Sequence, residues 1–187
     1  FFLHAHAAIP DAQESRGLGD VYKRQALVRT AFSTSVREAG DLSAGVYDTK
    51  GRMIAQAITG TPGHVNTMAA AVVNFIEDIG PHRIYDGDVY ITNDPWKGTG
   101  HLHDFTVVTP VFRNGKLIGY FGCTAHVVDV GGRGFGPDAT EVYEEGLFVP
   151  IMKFLERGEI NFTDLAQSEA SLAGAKAKLI QAQNELL

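Results

Sequence analysis

Cysteine is almost absent from this chain: Cys123 stands alone among 187 residues. No disulfide can form within it, and a reducing, cytoplasmic compartment suits it. The thiol reads as a small buried residue of an apolar strand rather than as a nucleophile. Long hydrophobic runs are missing too, and the longest, residues 68–73, falls far short of the roughly 20 residues that span a bilayer. Basic clusters are equally scarce. With 16 Lys and Arg against 22 Asp and Glu, the net charge is −6, so the positive footprint needed by nucleic acid or an anionic membrane surface is lacking. The opening Phe1-Phe2-Leu3-His4 has no basic lead and is too short for a secretory signal.

What is present suits one domain, or one large piece of a bigger one, with 44% hydrophobic residues. Residues 1–25 show no hydrophobic period and read as foreign or disordered; the string from Gly17 to Gln25 looks like translated linker sequence. Residues 26–39 carry helix formers up to a terminating Gly40. Residues 43–48 and 53–57 read as strands joined by a turn at Asp48-Thr49-Lys50-Gly51. After Gly60-Thr61-Pro62-Gly63, Asn66 or Thr67 is placed to cap a helix whose apolar side holds Met68, Ala71, Val72, Phe75, Ile76 and Ile79, ending at Gly80-Pro81. Residues 88–92 form a strand leading into a loop at 93–100. Residues 105–112 and 117–125 flank Asn114-Gly115, a strong hairpin signal. The glycines of 131–137 suit turns better than a phosphate cradle, because no Lys-Ser/Thr fingerprint follows them. The expected fold is therefore α+β, with antiparallel hairpins packed by helices, as part of a larger subunit. Residues 26–161 form its main portion, and 162–187 form an Ala- and Gln-rich helical tail.

Chemistry gathers around the open end of the second hairpin. His101-Leu102-His103-Asp104 precedes one strand, and His126 ends the other with Asp129 close behind. Two imidazoles and one carboxylate hold a divalent first-row metal while leaving positions open for substrate. A regular ladder grown from Asn114-Gly115 sets His126 opposite His103 and Ala125 opposite Asp104. His101, His103 and His126 then share one face and Asp104 takes the other. Bringing Asp104 to His126 needs a one-residue slip, which a β-bulge or an early strand start near His103 supplies. The residues alone leave open whether His101 or His103 binds, and Asp129 suits orienting an imidazole.

Several ordered motifs resemble the hydantoinase B family. They are Gly87-Asp-Val-Tyr-Ile-Thr-Asn-Asp-Pro-Trp96, Gly100-His-Leu-His-Asp104, Thr109-Pro-Val-Phe112, Ala125-His-Val-Val-Asp-Val-Gly-Gly132 and Glu141-Val-Tyr-Glu-Glu-Gly146. Residues 33–57 and Pro62-Gly63-His64 are similar to its N-terminal segment. The family includes the alpha subunits of acetone and acetophenone carboxylases and the C-terminal part of 5-oxoprolinase. The resemblance implies His101, Asp104 and His126 as ligands of manganese, with zinc or iron as other choices, and His103 and Asp129 as alternate or outer partners. His64 and Asp94 match polar family positions and are candidate catalytic residues of the pocket, although Asp94 before proline also suits a turn. Glu141 and Glu145 suit solvated or outer acceptor roles.

The resemblance also implies an ATP-dependent complex. A hydantoinase A-like partner uses ATP to phosphorylate a carbonyl oxygen, and the metal subunit completes hydrolysis of a cyclic amide or carboxylation of a small ketone. The chain has no Gly-x4-Gly-Lys-Ser/Thr loop of its own, so ATP belongs to the partner. Family subunits are far longer, so this chain is expected to be an N-terminal fragment, inactive alone. Two rival readings use the same residues: a mononuclear non-haem iron oxygenase, whose usual His-x-Asp spacing is not met, and a non-catalytic interaction domain in which the histidines only pack.

Overall fold

The computed structural model describes residues 25–31, 33–57, 61–134, 136–163 and 166–167. The expectations for residues 1–24 and for most of the 162–187 tail lie outside them; within that tail, residues 162–163 and 166–167 are helical. Gln25, assigned to the leader, is already helical.

The protein is α+β. Among the described residues, seven strands form one sheet: β1 Leu42–Tyr47, β2 Met53–Gln56, β3 Val89–Thr92, β4 Asp104–Arg113, β5 Lys116–His126, β6 Met152–Glu156 and β7 Glu159–Ile160. Their spatial order is β2-β1-β5-β4-β3-β6-β7, with every pairing antiparallel. Two turns are local in origin. Gly51 takes a φ of 78° between β1 and β2, and Asn114 and Gly115 take 52° and 72° between β4 and β5. Glycine and asparagine tolerate this left-handed region where other side chains clash.

The helix expected over residues 26–39 is two pieces, α1 at 25–30 and α2 at Thr34–Arg37. Ser33 breaks it: its hydroxyl accepts the Val36 N–H at 3.4 Å and caps α2, competing with continued helix. The long helix α3 runs Gly63–Ile79 and begins a turn earlier than expected, with Pro62 at its N-cap. Neither Asn66 nor Thr67 caps it; the Thr67 hydroxyl donates back to Gly63 O at 3.0 Å. The earlier start matters, because it puts His64 on the stripe that buries Met68, Ala71, Val72, Phe75 and Ile79. Gly80, at φ 82°, ends the helix as expected.

α3 lies on the sheet, and the core between them holds Tyr47, Met68, Val72, Phe75, Tyr90, Val108 and Tyr120. Burying each large side chain contributes about 1.5–3 kcal/mol. Gly122 makes room there, since a Cβ on it would lie 3.0 Å from the Tyr47 ring, tighter than ordinary packing. Beside this core, buried Asp88 accepts from the backbone N–H of Tyr85 and Arg157 at 2.9 Å each and from the Tyr90 hydroxyl at 2.8 Å. Lys153 stands 3.1 Å away as its counter-charge.

Candidate metal centre

Asp104 opens β4 and His126 closes β5, and the two are direct cross-strand partners. The slip that brings them together lies at the far end of the hairpin from the place expected. Phe112 pairs with Leu117 but Val111 pairs with Gly119, so Ile118 is the extra residue, and the ladder runs without a shift from there to Asp104. There is no bulge at His103. Residues 101–103 form a turn instead, closed by the Asp104 N–H on His101 O at 3.3 Å.

This arrangement gathers several rings around one carboxylate. His101 Nε2 and His126 Nδ1 each lie 3.2 Å from Asp104 Oδ1, and His64 Nε2 lies 2.9 Å from Oδ2. One ligand atom from each of His101, Asp104 and His126 falls within 4.8 Å of the others, and the same holds for Asp41, His64 and Asp104 and for His101, His103 and Glu145. The rings of His103 and His126 stack at 5.4 Å between centroids. Behind the centre, the hydroxyls of Thr106 and Thr124 bond each other at 2.9 Å on the same face of β4 and β5.

The electrostatics follow from these contacts. Burial alone would push the Asp104 carboxyl up, but hydrogen bonds with His101 and His64 and the attraction of both rings outweigh it and hold it well below the usual carboxylate range. Asp104 is therefore ionised. Its hydrogen bond raises His101 against the opposing effect of burial, with further help from Glu145 and Asp41. His103 moves the other way, lowered by burial and by its neighbours His126 and His101.

Two expected residues make local contacts. Asp94 Oδ1 accepts the N–H groups of Trp96 and Lys97 at 2.9 and 3.2 Å, making the turn its proline suggested. Asp129 is exposed and accepts the Gly131 N–H at 2.7 Å; the carboxylates beside His126 are those of Asp104 and Asp41.

Three further residues support the cluster, and of these only Glu145 was singled out in the sequence, as a solvated or outer acceptor. Asp41 Oδ2 stands 3.6 Å from His126 Nδ1, and Oδ1 accepts the Thr61 hydroxyl at 2.6 Å. Its only signal was a carboxylate between Gly40 and a buried strand. Glu145 Oε2 accepts the Leu102 N–H at 2.7 Å and faces His101 and His103. Asn93, 1% exposed, donates to Leu102 O and Leu147 O at 2.8 and 2.7 Å and accepts from Val149 N–H at 2.6 Å. It ties the histidine turn to the Glu145 loop.

Fold and site together define an α+β domain with a buried histidine–carboxylate cluster at one end of an antiparallel sheet. The Hydantoinase B/oxoprolinase family model matches residues 22–171, and the chain belongs to this family. Among its relatives, 5-oxoprolinase PfmaA of Pestalotiopsis fici is 35% identical over 136 residues, covering 71% of this chain and 10% of that protein. Caprolactamase subunit beta of Pseudomonas jessenii is 34% identical over 139 residues, covering 71% of this chain and 23% of that one. A nucleotide-free structure of acetone carboxylase superposes with a TM-score of 0.71 at 28% identity, covering 83% of this chain and 21% of its own. The chain thus spans about a tenth to a quarter of the length of these proteins.

Proposed function

We propose that this chain is the metal-bearing part of an ATP-dependent enzyme that hydrolyses a cyclic amide or carboxylates a small ketone. Membership of the family supports the enzyme class. The observation that carries the metal reading is the convergence of His101, Asp104 and His126 on one buried spot. Metal bonds of about 2.1 Å at tetrahedral or octahedral angles put neighbouring ligand atoms about 3.0–3.4 Å apart. Both imidazole nitrogens stand 3.2 Å from Asp104 Oδ1, so the donor set fits a divalent ion in place of ring protons.

In this reading His101, Asp104 and His126 hold manganese, zinc or iron, and Asp41 offers a further oxygen. Such an ion, when bound, stabilises negative charge developing on a carbonyl or enolate oxygen. His64 donates its Nε2–H to Asp104 Oδ2, which fixes the carboxylate plane and leaves Oδ1 directed at the two other rings. Inward-facing Thr106 and Thr124 satisfy each other and do not compete for those donors.

ATP use is assigned to a hydantoinase A-like partner, because the sequence has no Gly-x4-Gly-Lys-Ser/Thr loop. That caprolactamase subunit beta is itself named as a subunit supports such a division. The single thiol suits a cytoplasmic setting. No helix among the described residues is long and apolar enough to cross a membrane.

Titration of the purified chain with Mn²⁺, followed by the electron paramagnetic resonance of free ion, tests the metal reading. Wild type should bind one equivalent. His126→Ala should weaken binding by more than about 100-fold, since even outer partners of metal ligands are worth about 10–100-fold. Equal binding by both proteins would falsify the assignment.

A further inference from the structure

We propose that Glu145 is a positioning residue for the His101 and His103 imidazoles, locked in place by a clasp of three glycines; this rests on the metal reading above. The clasp joins two loops. Gly131 and Gly146 form an antiparallel bridge, flanked by Leu147 N–H on Val130 O at 2.7 Å and Arg133 N–H on Glu144 O at 2.9 Å. Gly131 and Gly146 have φ of 81° and 142°, a region side chains rarely enter. A Cβ on Gly132 would collide with the Glu145 carbonyl, and one on Gly146 with the Val130 carbonyl. Only glycine permits so close an approach. Asp129 caps the first loop through Gly131 N–H. Gly131 and Gly132, the first glycines of the run after His126, are thereby accounted for without a phosphate.

The clasp delivers the Glu145 carboxylate to the turn that carries the histidines. Oε2 accepts the Leu102 N–H at 2.7 Å and stands 3.8 Å from His101 Nδ1 and 3.6 Å from His103 Nδ1. These two distances lie just beyond hydrogen bonding but within strong attraction for a ring N–H. For His101 the direction is decisive. Its Nε2 faces Asp104 while its Nδ1 faces Glu145, so when a cation takes the place of the Nε2 proton the Glu145 carboxylate holds the remaining ring proton at Nδ1. A carboxylate behind a metal-binding histidine fixes ring orientation and raises basicity in this way.

Glu145→Gln keeps the side-chain shape and an acceptor for Leu102 N–H, but it removes the charge. In Mn²⁺ titrations of the purified chain it should weaken binding about 10–100-fold relative to wild type. The visible spectrum of bound Co²⁺ should shift, and the thermal midpoint of the metal-free chain should stay unchanged. Gly132→Ala should weaken binding similarly although it removes no polar group. The ¹⁵N spectrum of the Zn²⁺-loaded wild type adds a test independent of any variant: His101 should be protonated at Nδ1 and metal-bound at Nε2. Wild-type affinity and Co²⁺ spectrum in a folded Glu145→Gln, or zinc on His101 Nδ1, would overturn this inference and leave the metal site standing. A wild type that binds neither Mn²⁺ nor Co²⁺ would remove the metal reading and this inference together.

Discussion

His126 stands directly across the ladder from Asp104, and the cause lies eight positions earlier in Ile118, which has no partner in β4. Near the turn, Leu117 packs toward the core while Ile118 points out at 51% exposure. Past it the inward phase passes to Tyr120, Gly122, Thr124 and His126. On β4 the phase never changes, so Phe112, Val108, Thr106 and Asp104 stay on the inner face. A ladder without the bulge turns Cys123 and Ala125 inward and carries His126 away from the carboxylate.

Deleting Ile118 should therefore abolish Mn²⁺ binding without touching a candidate ligand. Ile118→Ala should leave affinity intact and change stability by less than about 0.5 kcal/mol, since the side chain is exposed and the bulge is a backbone feature. Mn²⁺ titration and urea unfolding of both variants check this. A deletion variant that binds as tightly as wild type would show that the register does not set the site.

Asn93→Ala should cost about 2–4 kcal/mol, because it strands two buried carbonyls and one N–H that the side chain satisfies. The loss should be larger than for a typical loop asparagine. Hydrogen exchange should also rise in residues 101–103 and 145–149, the two segments Asn93 links. Unchanged exchange there would mean that the loops are held by other contacts.

Asp88 supplies a pH signature well away from the histidines. Burial raises its carboxyl, but hydrogen bonds from Arg157 N–H, Tyr85 N–H, the Tyr90 hydroxyl and Lys153 outweigh this and lower it below 3.8. A depressed carboxyl contributes stability that is fully present above its unfolded value and is lost as pH falls through the lower folded one. Asp88→Asn should destabilise by about 1–3 kcal/mol at neutral pH, since it takes the charge from an acceptor of two backbone N–H groups and leaves Lys153 dependent on Glu156. Thermal midpoints of the two proteins should converge below about pH 3.8. A gap that stays constant down to pH 2 would show that the charge is not what Asp88 contributes.

Local chemistry was legible in the sequence and long-range placement was not. The Asn114-Gly115 turn and the Gly80 stop could be read directly because each depends on a few adjacent residues. The Ile118 bulge was hidden by composition: Leu117-Ile118-Gly119-Tyr120-Phe121 is apolar or small throughout, so alternation across it gives no phase. The break at Ser33 had a signal in the Ser/Thr-rich run 33–35, which competes with helix through its own hydroxyls. His64 looked like a residue ahead of a helix, because the helix start was sought at a side-chain cap and α3 has none. Asp41 and Glu145 meet the cluster only through sheet pairing and the glycine clasp, which no short window of sequence contains.

The strongest test of the proposed division of labour uses the full-length protein with the proposed ATP-using partner. His126→Ala removes one imidazole from a three-donor cluster, which should strip most of the metal affinity and stop product formation. Phosphorylation of the substrate carbonyl is assigned to a separate site, so substrate-stimulated ATP consumption should fall much less than product. Measured side by side, the two rates should separate by at least about tenfold, equivalent to about 1.4 kcal/mol in barrier. His126→Gln, close to the same size, should behave like His126→Ala if the ring nitrogen is what matters. Full turnover with full metal occupancy in either variant would remove His126 from the site. ATP consumption that disappears in step with product would instead show that the two chemistries share one site, leaving the metal assignment intact and the two-subunit mechanism wrong.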